Sequence, residues 1–216
     1  MPMVKSKSSK RWLRERAQDE YVKKSKREGY RSRASFKLLE IQKKDRFIKR
    51  GRTVVDLGSA PGGWSQVAKH LVGHQGMVFA SDILPMEPIP GVNFIQGDFT
   101  KKAVFEQLTA EIRGGLVDLV ISDMAPNISG VRSRDQAESA RLNDLAIDLV
   151  RKYLKSGGSV VMKTFQGPEV VKLVEEMKNY FSSVRIVKPK ASRKMSSEVY
   201  VVAMGFRPAV WSSCFS

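Results

Sequence analysis

The stretch Thr53-Val54-Val55-Asp56-Leu57-Gly58-Ser59-Ala60-Pro61-Gly62-Gly63-Trp64 most limits what this chain can fold into. A β-branched run reaches an aspartate, opens into a loop of small residues, and closes on an apolar residue that starts a helical pattern. That is the strand–loop–helix opening of a doubly wound α/β domain, whose ligands lie across the carboxyl ends of the strands. Glycines let backbone approach a ligand closely, and a helix N-terminus offers unpaired N–H donors. The loop lacks the G-x-G-x-x-G spacing of a dinucleotide site, and no Gly-Lys-Ser/Thr closes it as a P-loop would.

The rest of the chain fits that opening. Strands are expected at 53–57, 77–82, 92–96, 117–122, 158–165, 184–188 and 198–204, with helices at 64–72, 101–113, 136–154 and 168–181. Gly157-Gly158 reads as a helix stop. Strands alternating with helices imply a mostly parallel sheet, here of seven strands, with helices on both faces. The last two strands have no helix between them and can form a hairpin, which sets one antiparallel strand in the sheet. Residues 127–136 read as a polar loop long enough to be a substrate lid, and 84–91 as a Pro-rich connection.

Two further helices, 11–28 and 33–46, precede the sheet, and residues 1–10 read as disordered. Phe36, Leu39 and Leu38 or Ile41 give the second helix an apolar stripe. The domain division expected is a basic extension over 1–52, an α/β domain over 53–207 and a tail over 208–216. Residues 1–52 hold 19 Lys and Arg against 6 Asp and Glu, a net +13 out of +16 for the whole chain. Charge concentrated in this way is the footprint of a polyanion partner, and nucleic acid is the usual one. A purely solubilising tail is the alternative, but Trp12, Tyr21, Tyr30 and Phe36 are interleaved with the charges. Cys214 is the lone cysteine, which excludes a disulfide within the chain and a cysteine-based zinc site. No apolar run is long enough for a membrane span. No metal and a cytoplasmic setting are expected.

Chemistry-bearing residues gather at the strand ends. Asp82 ends the second strand, about 20 positions past the glycine loop, where a carboxylate accepts from ribose hydroxyls. Asp98 and Phe99 follow the third strand and suit the amino group and face of an adenine. Asp123 follows the fourth strand. Each aspartate taken alone equally suits a helix cap. Lys163 ends an otherwise apolar strand, and lysines are rarely buried without a purpose or a partner; a partly desolvated lysine near another cation can act as a base, and snorkelling to the sheet rim is the alternative. Glu198 taken alone reads as a surface charge. The loop residues Gly58, Ala60, Pro61, Gly62 and Gly63, with Trp64, complete a site for a nucleoside lacking a phosphate tail, such as S-adenosylmethionine.

The chain resembles the FtsJ/RrmJ family of ribose 2'-O-methyltransferases, above all its bacterial members acting on large-subunit ribosomal RNA. The resemblance rests on Arg31–Leu38 (RSRASFKL), Asp56–Gln66 (DLGSAPGGWSQ), Gln96–Phe99 (QGDF), Ser122–Gly130 (SDMAPNISG), Lys163–Gly167 (KTFQG), Ser192-Arg193 and Ser196–Tyr200 (SSEVY). It spans about residues 10–206. It implies a catalytic set of Lys37, Asp123, Lys163 and Glu198, S-adenosylmethionine as cofactor, and a monomer acting on a uridine of ribosomal RNA or the large subunit. Lys163 would take or steer the proton of the 2'-hydroxyl. Lys37 would be its neighbouring cation, Asp123 would orient a lysine and touch the cofactor, and Glu198 would position the lysine network. Ser59, often Ala in the family, and Thr164, often Val, touch no functional side chain. Transfer RNA or a messenger RNA cap as substrate, and a non-catalytic ribosome-assembly factor, are the competing readings.

Overall fold

The structure, a computed structural model, describes residues 19–112, 115–193 and 195–208. The expected disorder of 1–10, the first half of the helix expected at 11–28, Trp12, and the tail from 209 onward with Cys214 lie outside them. In chain order the elements are α1 (Glu20–Arg27), α2 (Ser35–Asp45), β1 (Thr53–Leu57), α3 (Gly63–Val72), β2 (Met77–Asp82), β3 (Val92–Gln96), α4 (Lys102–Glu111), β4 (Val117–Ser122), α5 (Arg132–Tyr153), β5 (Leu154–Phe165), α6 (Pro168–Lys178), β6 (Phe181–Val187) and β7 (Glu198–Phe206).

The strands form one sheet in the order β3-β2-β1-β4-β5-β7-β6. Pairing is parallel from β3 to β5, and β7 runs antiparallel to both β5 and β6. Chain order reverses between β1 and β4, so the crevice above their carboxyl ends is the switch point where such folds bind ligands. Alternation along the strands feeds two cores. Val55, Val120 and Val160 face the cluster under α4, α5 and α6. Val54, Ile121 and Val161 face the cluster that holds Leu38 and Ile41 of α2 and Val67 of α3. The basic N-terminal quarter thus contributes α2 to the same core as the sheet. On α2 the buried apolar set is Phe36, Leu38 and Ile41, and Leu39 is only partly buried. Asp19 caps α1, accepting from the N–H groups of Tyr21 and Val22 at 3.0 and 3.3 Å.

Several expected boundaries move; the helix expected at 168–181, for one, ends at Lys178 and leaves Phe181 to β6. β5 starts at Leu154, not 158, because Leu154 is buried opposite Val117. Gly157-Gly158 therefore lies inside the strand, where the register shifts between Val117 and Leu119 and Gly157 takes φ +76°; the glycines make a bulge, not a helix stop. β6 starts at Phe181 because Phe181 and Phe206 stack at 5.2 Å in the core. α5 starts at Arg132, which shortens the expected lid to 127–131.

Candidate active site

Gly58 leaves β1 with φ +71°, and a Cβ there would stand 2.7 Å from the Met124 backbone nitrogen. Only glycine lets the ends of β1 and β4 come this close. The loop then folds under β2: Gly58 N–H donates to the Ser81 carbonyl at 2.9 Å, and Ala60 N–H donates to Asp82 Oδ2 at 2.8 Å. Asp82 Oδ1 accepts from Leu84 N–H at 2.8 Å. Each oxygen keeps a lone pair for a ligand hydroxyl. Asp98 closes an Asx turn onto Thr100 N–H at 2.9 Å. Hydrogen bonds from the Thr100 side chain and backbone hold its carboxyl below the usual range.

Gly58, Ala60, Asp82, Asp98, Phe99 and Asp123 all line one cavity of about 630 Å³. Sequence order separates them by up to 65 positions, and the switch point brings them together. Pro61, Gly62, Gly63 and Trp64 do not line it. A Cβ on Gly63 would meet Ser32 Oγ at 2.3 Å, and one on Gly62 would meet Ile89 Cδ1 at 2.7 Å. These glycines admit the segment before α2 and the Pro-rich connection. Trp64 is 2 % exposed, and its indole N–H donates to the Ala34 carbonyl at 2.8 Å. Arg31 ties the same parts together, donating to the carbonyls of Pro61, Glu87 and Pro88.

Beside the cavity, Lys37, Asp123, Lys163 and Glu198 meet in one buried network. Lys163 Nζ lies 3.0 Å from Asp123 Oδ1 and also donates to the Asp123 carbonyl. Lys37 Nζ lies 2.6 Å from Glu198 Oε1. The two pairs are joined by Tyr200, which is not among the site residues expected from the sequence. Tyr200 OH donates to Asp123 Oδ1 at 2.8 Å and accepts from Lys37 Nζ at 3.2 Å. Register explains it: Tyr200 stands directly opposite Lys163 on β7, and Glu198, two residues earlier, shares its face. That i, i+2 spacing was the available signal. Ser192 Oγ also donates to Glu198 Oε1 at 3.1 Å.

Electrostatics follow from burial and company. Burial alone would raise the Asp123 carboxyl, but the Lys163 and Lys37 cations and the Tyr200 hydrogen bond outweigh it and hold it below the usual range. Burial, with the negative charges of Asp123 and Glu198, pushes the Tyr200 phenol well above its ordinary value, so it stays a donor. Asp56 is fully buried, and burial carries its carboxyl up to about 8 despite a hydrogen bond from Ser65. Its Oδ1 has no hydrogen-bond partner among the described residues. α5 adds Arg134, Glu138, Arg141 and Leu142 to the cavity wall; nothing local in the sequence marks them, because the packing of α5 beside the sheet places them there. Among the described residues no three potential ligands gather as a metal site would.

A doubly wound sheet of this strand order, with carboxylates ranged around a nucleoside-sized cavity at its switch point, defines a Rossmann-like methyltransferase. The chain belongs to the FtsJ-like methyltransferase family, which matches residues 30–206. It is 58% identical over 207 residues to the ribosomal RNA large subunit methyltransferase E of Marinobacter nauticus, covering 96% of this chain and 100% of that one. The protein of the same name from Pseudomonas aeruginosa is 53% identical over 205 residues, covering 95% and 99%. Among solved structures, a ribosomal RNA methyltransferase of Plasmodium falciparum superposes with a TM-score of 0.73 at 31% identity, covering 82% of this chain and 98% of that one. The protein is therefore a methyltransferase and requires a methyl donor.

Proposed function

We propose that the protein transfers a methyl group from S-adenosylmethionine to the ribose 2'-hydroxyl of a uridine in large-subunit ribosomal RNA. The observation that carries this reading is the buried Lys37–Glu198–Tyr200–Asp123–Lys163 network, which reaches the wall of the cavity at Asp123. S-adenosylmethionine supplies an electrophilic methyl carbon on a sulfonium. The cavity suits it: about 630 Å³ is ample for a nucleoside with an amino-acid tail. Asp82 takes the ribose hydroxyls, Asp98 the adenine amino group, and Phe99 packs on the ring. Gly63 and Trp64 lie outside the cavity lining, but their N–H groups, in the first turn of α3, lack an intrahelical acceptor and follow closely on the lining residues Gly58 and Ala60; we assign them to the tail carboxylate.

Methyl transfer is an in-line displacement, so alignment is most of the task. The 2'-hydroxyl is a poor nucleophile near neutrality and gains from a positioned base. Lys163, neutral at the moment of reaction after losing its own proton to solvent, receives the proton of the hydroxyl, or as a cation steers it. Asp123 fixes Lys163 through both its carboxylate and its carbonyl, while Glu198 and Tyr200 fix Lys37 beside the ribose and its phosphate. The net +13 over residues 1–52 supplies phosphate contacts, which set affinity and register without reading sequence. A cytoplasmic monomer working on ribosomal particles is the setting this implies; no described helix is long and apolar enough to cross a membrane.

The test offers radiolabelled S-adenosylmethionine with naked ribosomal RNA or with large subunits lacking ribose methylation. Label on the large-subunit RNA of either substrate supports the reading, and the preferred one tells whether a local fold or an assembled particle is recognised. Cofactor binding with no label on either substrate, but label on transfer RNA or capped RNA, overturns it.

A further inference from the structure

The segment 127–134 leaves β4 just beyond Asp123 and enters α5. Met124 to Asn127 form part of the cavity wall. Past them, Ile128 is 63% and Val131 56% exposed. Arg132 and Arg134 are exposed beside them, and Arg134 reaches the cavity. Two bare apolar side chains and two guanidinium groups thus stand within seven positions of one another, next to the reacting centre.

The spacing of this segment suggests a lid, and a set of hydrogen bonds gathers it into a platform. Asp135 Oδ1 accepts from the Ser129 N–H and hydroxyl at 2.8 and 2.7 Å. Its Oδ2 accepts from Gly130 N–H at 3.2 Å, and Ser129 Oγ accepts from Val131 N–H at 3.2 Å. The N-terminal part of α5 is bonded to the sheet end as well: Gln136 Nε2 donates to the Gln166 carbonyl at 2.8 Å. Gln166 N–H in turn donates to the Ser197 carbonyl at 2.8 Å. The platform is therefore linked to the chain just after Lys163 and just before Glu198. On the other side of β5, the loop before β7 is held by Arg33, which donates to the Ala191 carbonyl, and by Glu40, which accepts from Lys190 N–H. That loop carries exposed Arg193. Basic walls stand on both flanks of the network.

We propose that segment 127–134 is the second wall of the RNA channel. Ile128 and Val131 pack against an unstacked base next to the target ribose, and Arg132 and Arg134 hold the flanking phosphates. Charge complementarity selects this occupant, since guanidinium groups beside apolar side chains suit phosphates beside bases. The inference rests on the reading of the protein as an RNA methyltransferase and extends its RNA contacts beyond residues 1–52.

The test measures the KM for undermethylated large subunits against salt, and S-adenosylmethionine affinity by calorimetry. It compares the unaltered protein with Arg132→Ala/Arg134→Ala and with Ile128→Ser/Val131→Ser. The arginine variant should raise KM on the order of tenfold and flatten the log–log salt slope by about 1 to 2. The apolar variant should raise KM with the slope unchanged. The apolar variant, and Arg132→Ala alone, whose residue does not line the cofactor cavity, should bind S-adenosylmethionine like the parent. Weakened cofactor binding with an unaltered KM for subunits would make Arg134 a cofactor residue and overturn the proposal. Parent-like KM and slope in both variants would overturn it too, as would a parent protein that self-associates where the apolar variant does not. A parent that methylates no ribosomal RNA would instead remove the underlying functional reading.

Discussion

Tyr200 converts two ion pairs into one network. Its hydroxyl bridges Asp123 and Lys37, and its ring packs on Trp64 at 5.5 Å. Tyr200→Phe keeps the packing and removes the bridge. Asp123 remains paired with Lys163, so the stability cost should be about 1 kcal/mol, read from a denaturant titration. Turnover should fall by about tenfold with S-adenosylmethionine affinity unchanged, because the loss is in alignment. Asp56 makes a prediction in pH. Burial raises its folded carboxyl to about 8, against about 4 in an unfolded chain. Between those values the folded state binds the extra proton, so the protein loses stability as pH rises through the window. Asp56→Asn removes this dependence. Its Tm advantage should grow from pH 4 to about pH 8 and then level off; a variant less stable than the parent throughout would show that Asp56 is ionised and paired when folded.

At the scale of elements, the site depends on how closely α2 is docked to the glycine loop. Gly63 has Ser32 Oγ and Ser35 Oγ where its Cβ would be, and Ser35 Oγ donates to the Gly63 carbonyl at 3.0 Å. Gly63→Ala should cost about 1–3 kcal/mol by overpacking. It should also push α2, and with it Lys37, off Glu198, so that kcat falls more than the denaturation midpoint explains. These elements were legible in the sequence to different degrees. The strand–helix alternation and the aspartates at the strand ends are local signals, and strands, topology class and antiparallel end follow from them. In the sequence the Gly157-Gly158 bulge reads as a helix stop because glycine marks both, and only pairing with Val117 and Leu119 distinguishes them. The expected loop is longer than the observed one because α5 begins at Arg132, and the hold of Asp135 on Ser129 and Gly130 leaves no trace in spacing. The place of Tyr200 depends on register with Lys163, and register between distant strands is a tertiary fact that sequence spacing does not carry.

On the scale of the whole molecule, charge and chemistry are divided. The strand ends and α2 carry the network proposed to react, and the basic excess lies toward the N-terminus, where α1 presents Lys23, Lys24, Lys26 and Arg27 exposed. Lys23→Gln/Lys26→Gln removes surface charge only, so the Tm should hold. The KM for ribosomal substrate should rise and its salt slope should flatten by about 1 to 2 as counterion release is lost. The central claim is that this network delivers a methyl group to a ribose oxygen. Its most direct test is to label large subunits with radioactive S-adenosylmethionine, using the parent protein and Lys163→Ala, and to hydrolyse the RNA with alkali. The account predicts label in an alkali-resistant dinucleotide with the parent protein. With Lys163→Ala it predicts a loss of about 10²–10⁴-fold at unchanged cofactor affinity. Label recovered in mononucleotides, or a Lys163→Ala protein that fails to bind cofactor, would contradict it.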